Sequence, residues 1–203
     1  MKGWIEIITT KEVPKYTKLW SNIQQIVWRD AGDHHSALWL FIVNDVLGSF
    51  IFPARVRTQL LRIFIPGIHP RAIIRPKVIF KSNAIQIGAG TVVSYRTLFD
   101  NREGVQIGEY VSIGADCMFL TSDHDMSNPK RRSGTRVGAP IRVHDGSRIA
   151  VGSTVMRGVT IGPGAVIGAG SIVLGDVEEH SLYVGIPARK KKDLPTIELE
   201  AQQ

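Results

Sequence analysis

Residues 119–128 read FLTSDHDMSN and place His124 between Asp123 and Asp125. An imidazole titrates near working pH, so it suits the removal of a proton from a hydroxyl or amine. A neighbouring carboxylate could orient the ring and stabilise the imidazolium by accepting from its other nitrogen. Adjacency gives Asp123 and Asp125 that opportunity and no more. Taken alone, a loop histidine is more often a surface residue, and a loop aspartate a solvated turn residue. A second candidate is the cationic run in IPARKKK, from Arg189 to Lys192, which suits a phosphate-bearing ligand or else a solvated tail.

What positions such groups is written in the spacing. From Val143 an aliphatic residue returns at Ile149, Val155, Ile161, Ile167 and Val173, six residues apart each time. Four places after each stands Ser147, Ser153, Val159, Ala165, Ser171 or Val177, always small or β-branched. The same phase holds at Ile107, Ile113 and Phe119, with Val111 and Cys117 in the small slot, and more loosely at Ile74, Phe80, Ile87 and Val93. A period of six fits neither a helix nor a long strand, but it fits a coil of short strands built from repeated flat segments. The aliphatic residues then point inward, and Cys117 fills an internal slot. Between Phe119 and Val143 the pattern lapses into TSDHDMSNPKRRSGTRVGAP, a loop at 121–140 punctuated by Pro129, Gly134 and Pro140. A long loop inside a compact repeat is usually functional or disordered.

Composition sets the outer bounds. The chain has 203 residues, 43% hydrophobic and 21% charged, enough for one globular domain with a smaller appendage. Lys and Arg outnumber Asp and Glu by 25 to 18, giving +7 and a preference for an anionic partner. A nucleic acid is set aside, because no helix-turn-helix, zinc spacing or RNA-binding aromatic signature accompanies the charge. The single Cys117 cannot form an internal disulfide, and the start MKGWIEIITTKEVP lacks a signal peptide's apolar centre; together these predict a cytoplasmic protein. The apolar run 37–52 is too short to span a bilayer and carries Asn44 and Asp45, so it reads as a buried helix. Arg55, Arg57 and Arg62 among the following apolar residues leave an interfacial helix, and thus a peripheral membrane contact through 37–66, open.

The stretch IGPGAVIGAGSIVLGDV, preceded by APIRVHDG and followed by YVGIPARKKK, resembles the hexapeptide-repeat acyltransferases. The resemblance is strongest to the sugar and polysaccharide O-acetyltransferases of the galactoside, maltose and colanic acid types, and covers about residues 74–192. It implies an all-β solenoid, a left-handed parallel β-helix of triangular section assembled as a homotrimer. The left hand opposes the usual right-handed crossover and does not follow from the period. With it go a largely helical N-terminal extension at 1–72, a β-helix domain at 73–188 with the protruding loop, and a basic tail at 189–203. In that extension Trp39, Phe41, Phe50 and Phe52 are expected to pack, and His34 and His35 to lie exposed at a helix entry capped by Asp33 or Ser36.

The same resemblance implies an acetyl-CoA-dependent acetyltransferase acting on a sugar or polysaccharide-precursor hydroxyl. His124 matches the family's catalytic histidine, the general base for direct attack of the acceptor, without an acyl-enzyme. Val151, Ala169 and Leu174 match positions that touch coenzyme A, and Arg189 and Lys192 those that meet its phosphates. Asp100 and Asn101, in FDNREG, fall where relatives bind an acceptor hydroxyl. Arg148 stands where relatives often have Trp, and His144 where they have Gly. An amino sugar or other small amine is the alternative acceptor. A metal site of the γ-carbonic anhydrase type is disfavoured by the spacing of the histidines at 34, 35, 69, 124, 144 and 180, and an inert scaffold by the His124 excursion and the basic ending.

Overall fold

Each inward aliphatic residue of the six-residue pattern lies in a short strand, and three strands make one turn of a parallel β-solenoid. The structure, a computed structural model, describes residues 37–196. The first face stacks Ile73–Ile74, Val92–Val93, Ser112–Ile113, Arg148–Ile149, Val166–Ile167 and Ser181–Val184. The second stacks Ile79–Phe80, Leu98–Asp100, Met118–Leu120, Thr154–Met156 and Ile172–Val173, and the third Ile85–Ile87, Val105–Ile107, Ile141–Val143 and Thr160–Ile161. Equivalent residues pair in register from coil to coil, as Phe99 with Phe119 and Val155 with Val173.

Burial follows the alternation. Ile74, Phe80, Val93, Phe99, Phe119, Ile149, Val155 and Ile167 are fully buried, and on the second face the three rings form a stack. Phe80 and Phe99 lie 5.4 Å apart at 8°, Phe99 and Phe119 4.8 Å apart at 22°. The small slot is often polar for a specific reason: a coil corner leaves carbonyls that the next strand does not reach. Ser147 Oγ donates to Gly162 O at 2.9 Å and Ser153 Oγ to Gly168 O at 2.9 Å, satisfying them from inside. Cys117 occupies the same slot, 3.1 Å from Ala150 O, and burial raises its thiol pKa, keeping it protonated. At the first-to-second corner Lys77, Arg96 and Asp116 adopt positive φ. Arg96 grips Asp116 there through two 2.6 Å hydrogen bonds.

The second-to-third corner swells before it ejects the loop. The steps from Phe80 to Ile87 and from Phe99 to Ile107 already exceed six residues, Phe119 to Val143 spans four hexads, and Val155 to Ile161 returns to six. The looser early pattern is thus a widening of one corner, filled by Asn101 and Thr121.

The open end of the first coils is capped by helices. Of the unit Met1–Trp39, the described residues begin the helical turn Ala37–Leu40. The turn continues as a π-helical segment, Phe41–Val46, and an α-helix follows at Ala54–Phe64. Asn44 accepts from Phe80 N at 2.9 Å and donates to Phe80 O at 3.0 Å, completing the edge of the second face. The expected buried helix over 37–52 therefore ends at Val46. Gly48 follows, where a Cβ would clash with Asn44 O, and Phe41 and Phe50 are largely exposed instead of buried. His34, His35 and their capping residues lie outside the described residues. At the other end the start of the expected basic tail, Arg189–Asp193, is an exposed strand antiparallel to Ser181–Val184.

Candidate functional site

The excursion after Leu120 is an antiparallel ribbon, Ser122–His124 against Arg136–Gly138, with Arg136 opposite His124 and Gly138 opposite Ser122. Its base is clamped. Ala139 N donates to Thr121 O at 3.0 Å, Thr121 N and Oγ1 both donate to Asp100 O, and Glu103 N donates to Thr121 Oγ1 at 3.2 Å. Asp100 and Thr121 follow directly on the stacked Phe99 and Phe119 strands, so the aromatic column fixes where the ribbon leaves the coil.

At the far end Asp125 N donates to Thr135 O and Gly134 N to Asp125 O, which brings Gly134 O to 3.1 Å from His124 Nδ1. A carbonyl can only accept, so this contact places the proton on Nδ1 and leaves the Nε2 lone pair unengaged on an exposed ring. The orienting partner is therefore main chain. Asp123 Oδ1 instead accepts from His124 N at 2.7 Å. The Asp125 carboxylate is held by Ser127 N at 2.9 Å and Ser127 Oγ at 2.8 Å, contacts that lower its pKa. Nothing in the sequence marks a carbonyl ten residues away, and Gly134 reads there as loop punctuation. Its identity matters: a Cβ at Gly134 would lie 2.7 Å from Asp125 O, so something must shift. Gly134→Ala is expected to move the carbonyl off Nδ1, read as a change in the chemical shift of that ring nitrogen. An unchanged shift would show that the carbonyl does not bond Nδ1.

Residues two apart on a strand, or directly opposite on its partner, share a face. Ser122, His124 and Arg136 therefore project to one side of the ribbon. Asp100 Oδ2 accepts from Ser122 Oγ at 3.2 Å there, and Glu103 pairs with Arg136 at 3.0 Å. Asp100 Oδ1 is buried without a hydrogen bond and faces Arg102 Nε at 3.7 Å. Asn101 has a different place. It is fully buried, donating to Ser82 O at 2.7 Å and accepting from Ser82 N at 2.9 Å, so its amide is committed to the corner. Asp100 is the member of that pair beside the ribbon; Ser122, Glu103 and Arg136 were not legible as its neighbours.

The remaining candidates fall on two corners. Val151 and Ala169 stack at the first-to-second corner, where Gly170 N donates to Val151 O at 2.9 Å. Arg189 pairs with Val184, whose side chain closes over Gly168, so this cation lies at the end of the same corner. Lys192 pairs with Leu182, two residues back along that strand from Val184. Leu174 follows Val173 at the second-to-third corner, the corner that releases the His124 ribbon. Both Val151 and Leu174 are exposed. Among the described residues, no three His, Cys, Asp or Glu side chains converge as a metal site would require.

No protein-family model and no curated protein sequence matches the chain. Solved structures do. A hexapeptide-repeat acetyltransferase of Vibrio cholerae complexed with acetyl coenzyme A is 23% identical, with a TM-score of 0.68 over 92% of this chain and 94% of that one. A maltose O-acetyltransferase of Clostridium difficile is 22% identical, with 0.70 over 88% and 90%. A galactoside acetyltransferase in complex with coenzyme A is 24% identical, with 0.69 over 78% of each chain. The solenoid is thus the fold of the hexapeptide-repeat acetyltransferases.

Proposed function

We propose that the protein is an acetyl-CoA-dependent O-acetyltransferase acting on a hydroxyl of a sugar or polysaccharide precursor. The observation that carries this is His124, exposed on the ribbon with Nδ1 held by Gly134 O, on the same ribbon face as Ser122, whose hydroxyl bonds Asp100. The acetyl donor supplies an activated acyl group. Nε2 takes the proton of the acceptor hydroxyl as its oxygen attacks the thioester carbonyl, and the resulting imidazolium returns that proton to the departing thiolate. We assign Asp100, the carboxylate that accepts from Ser122 Oγ, to orient the acceptor through a second hydroxyl.

The donor fits the other corner. Val151 and Ala169 offer an exposed track of small and apolar surface, and Arg189 and Lys192 stand at its end for the anionic phosphates. In one protomer this track and His124 lie on opposite edges of the second face. That face stacks Ile79, Leu98, Met118, Thr154 and Ile172 in one column, mostly apolar and suited to burial between copies. A homotrimer would set the histidine corner of one copy against the coenzyme corner of the next, and the copies in the fold's solved examples bound to coenzyme support the donor. No helix among the described residues is long and apolar enough to cross a membrane.

The test is a screen of acceptors with acetyl-CoA and longer acyl-CoA donors, reading free thiol. Mono- and oligosaccharides should release thiol well above the rate without acceptor. Release driven only by amino sugars or other amines would transfer the reading to N-acetylation, which the same base serves. Absence of coenzyme A binding by calorimetry would overturn both.

A further inference from the structure

The helical end of the solenoid holds apolar side chains out in solvent at a cost that packing does not explain. Phe50 and Ile51, at the tip of the turn between the two helices, are 70% and 82% exposed. The turn is not free to fold them back. Arg57, buried beneath it, donates to Leu47 O at 2.9 Å and Phe52 O at 2.7 Å, and also to Ser49 O, fastening both ends of the turn. Desolvation lowers the pKa of this guanidinium, so its burial opposes folding unless the turn's shape is worth keeping. Phe50 stacks on Tyr95 at 6.3 Å, and the Arg75 guanidinium lies 5.9 Å over the same ring.

The surroundings are cationic. From 40 to 81 Asp45 is the lone acid, against exposed Arg55, Arg71, Arg75, Lys77 and Lys81. Lys77 N donates to Gly48 O at 2.8 Å, which seats this lysine against the turn. Arg55 and Arg71 line an open groove of about 500 Å³ with Val56, Gln59 and Ile73, and no carboxylate lines it.

The geometry points to this end of the solenoid as a docking surface for an anionic lipid bilayer. Phe50 and Ile51 enter the apolar boundary, and Arg55, Arg71, Arg75 and Lys77 meet lipid phosphates. A protruding apolar tip ringed by cations suits a fluid, negatively charged interface, where apolar insertion and attraction to anionic headgroups add. A second copy related by a twofold axis through this surface would instead bring two positive faces together. The inference does not depend on the proposed chemistry at His124.

Flotation of the full chain with vesicles of phosphatidylcholine alone, or mixed with phosphatidylglycerol, tests it. Binding is expected to the mixed vesicles and to weaken with added salt. Phe50→Ser with Ile51→Ser should lower partitioning on the order of 10²-fold. Arg55→Gln and Arg75→Gln should lower it about fivefold for each cation removed, with a shallower salt dependence. Circular dichroism and thermal melting confirm that each variant folds. The proposal is overturned if the wild-type chain stays unbound on mixed vesicles, or if the serine variant floats like wild type. Sedimentation showing that the serine changes dissociate an oligomer would also overturn it, as would inorganic phosphate binding at Arg55 and Arg71 without any flotation.

Discussion

Replacing His124 by alanine is expected to lower the rate of acetyl transfer to the true acceptor by about 10²- to 10⁴-fold, the range for loss of a positioned general base. The size follows from where the ring stands. Nδ1 is occupied by Gly134 O, so Nε2 is the basic atom His124 presents, and neither Asp123 nor Asp125 faces the reaction in its place. Folding should be spared, because the ring is exposed and its loss removes one hydrogen bond at the ribbon's end. Coenzyme binding should be spared as well if Val151, Ala169 and Arg189, at the other corner, hold the donor as proposed. The measurement is thiol release under saturating donor, with coenzyme affinity by calorimetry beside it. A variant retaining more than about a tenth of wild-type turnover would remove His124 from the role of base.

Much of this architecture was readable because a period of six leaves few alternatives. Val143, Ile149 and Val155 must face one way, and a coil of short strands is the structure that lets them. The loop was readable for the complementary reason, since a lapse between two in-phase hexads can only be an excursion. What stayed hidden depends on groups that carry no sequence signal. The Gly134 carbonyl belongs to a main chain every residue shares, and the ribbon that delivers it exists only once Arg136 pairs with His124. Two carboxylates next to a histidine look like better partners, but strand geometry turns Asp123 to the opposite face and Ser127 captures Asp125. Asn101 misled in another way. The resemblance puts it where relatives bind an acceptor hydroxyl, yet a widened corner needs a side chain that can both donate and accept, and Ser82 uses both ends. At the cap, apolar composition over 37–52 suggested burial, while the staple made by Arg57 decides which residues stay outside.

The aromatic column ties stability to the site, and Phe99 is its centre. Phe99→Ala is expected to destabilise the protein by about 3–5 kcal/mol, the usual cost of removing a buried phenylalanine. The upper part of that range applies because the site cannot collapse. Strand spacing fixes the coils at about 4.8 Å, so Phe80 and Phe119 cannot close over the gap, and both ring contacts are lost. Against a typical total of about 5–15 kcal/mol this is a large fraction. Phe99→Leu, which keeps most of the volume, should cost about 1–2 kcal/mol. Denaturant unfolding at one fixed protein concentration reads the difference without confounding it with assembly. Activity should fall before the fold does. Phe99 directly precedes Asp100 and Phe119 lies two residues before Thr121, so loosening the column loosens the clamp from Thr121 to Asp100 that aims the His124 ribbon. Phe99→Ala should therefore lose turnover at temperatures where its circular dichroism is still native, while coenzyme affinity at the Val151 corner is retained. A destabilisation below about 1 kcal/mol would mean that the coils relax into the cavity. Native turnover in a destabilised variant would mean that the ribbon is positioned independently of the aromatic column.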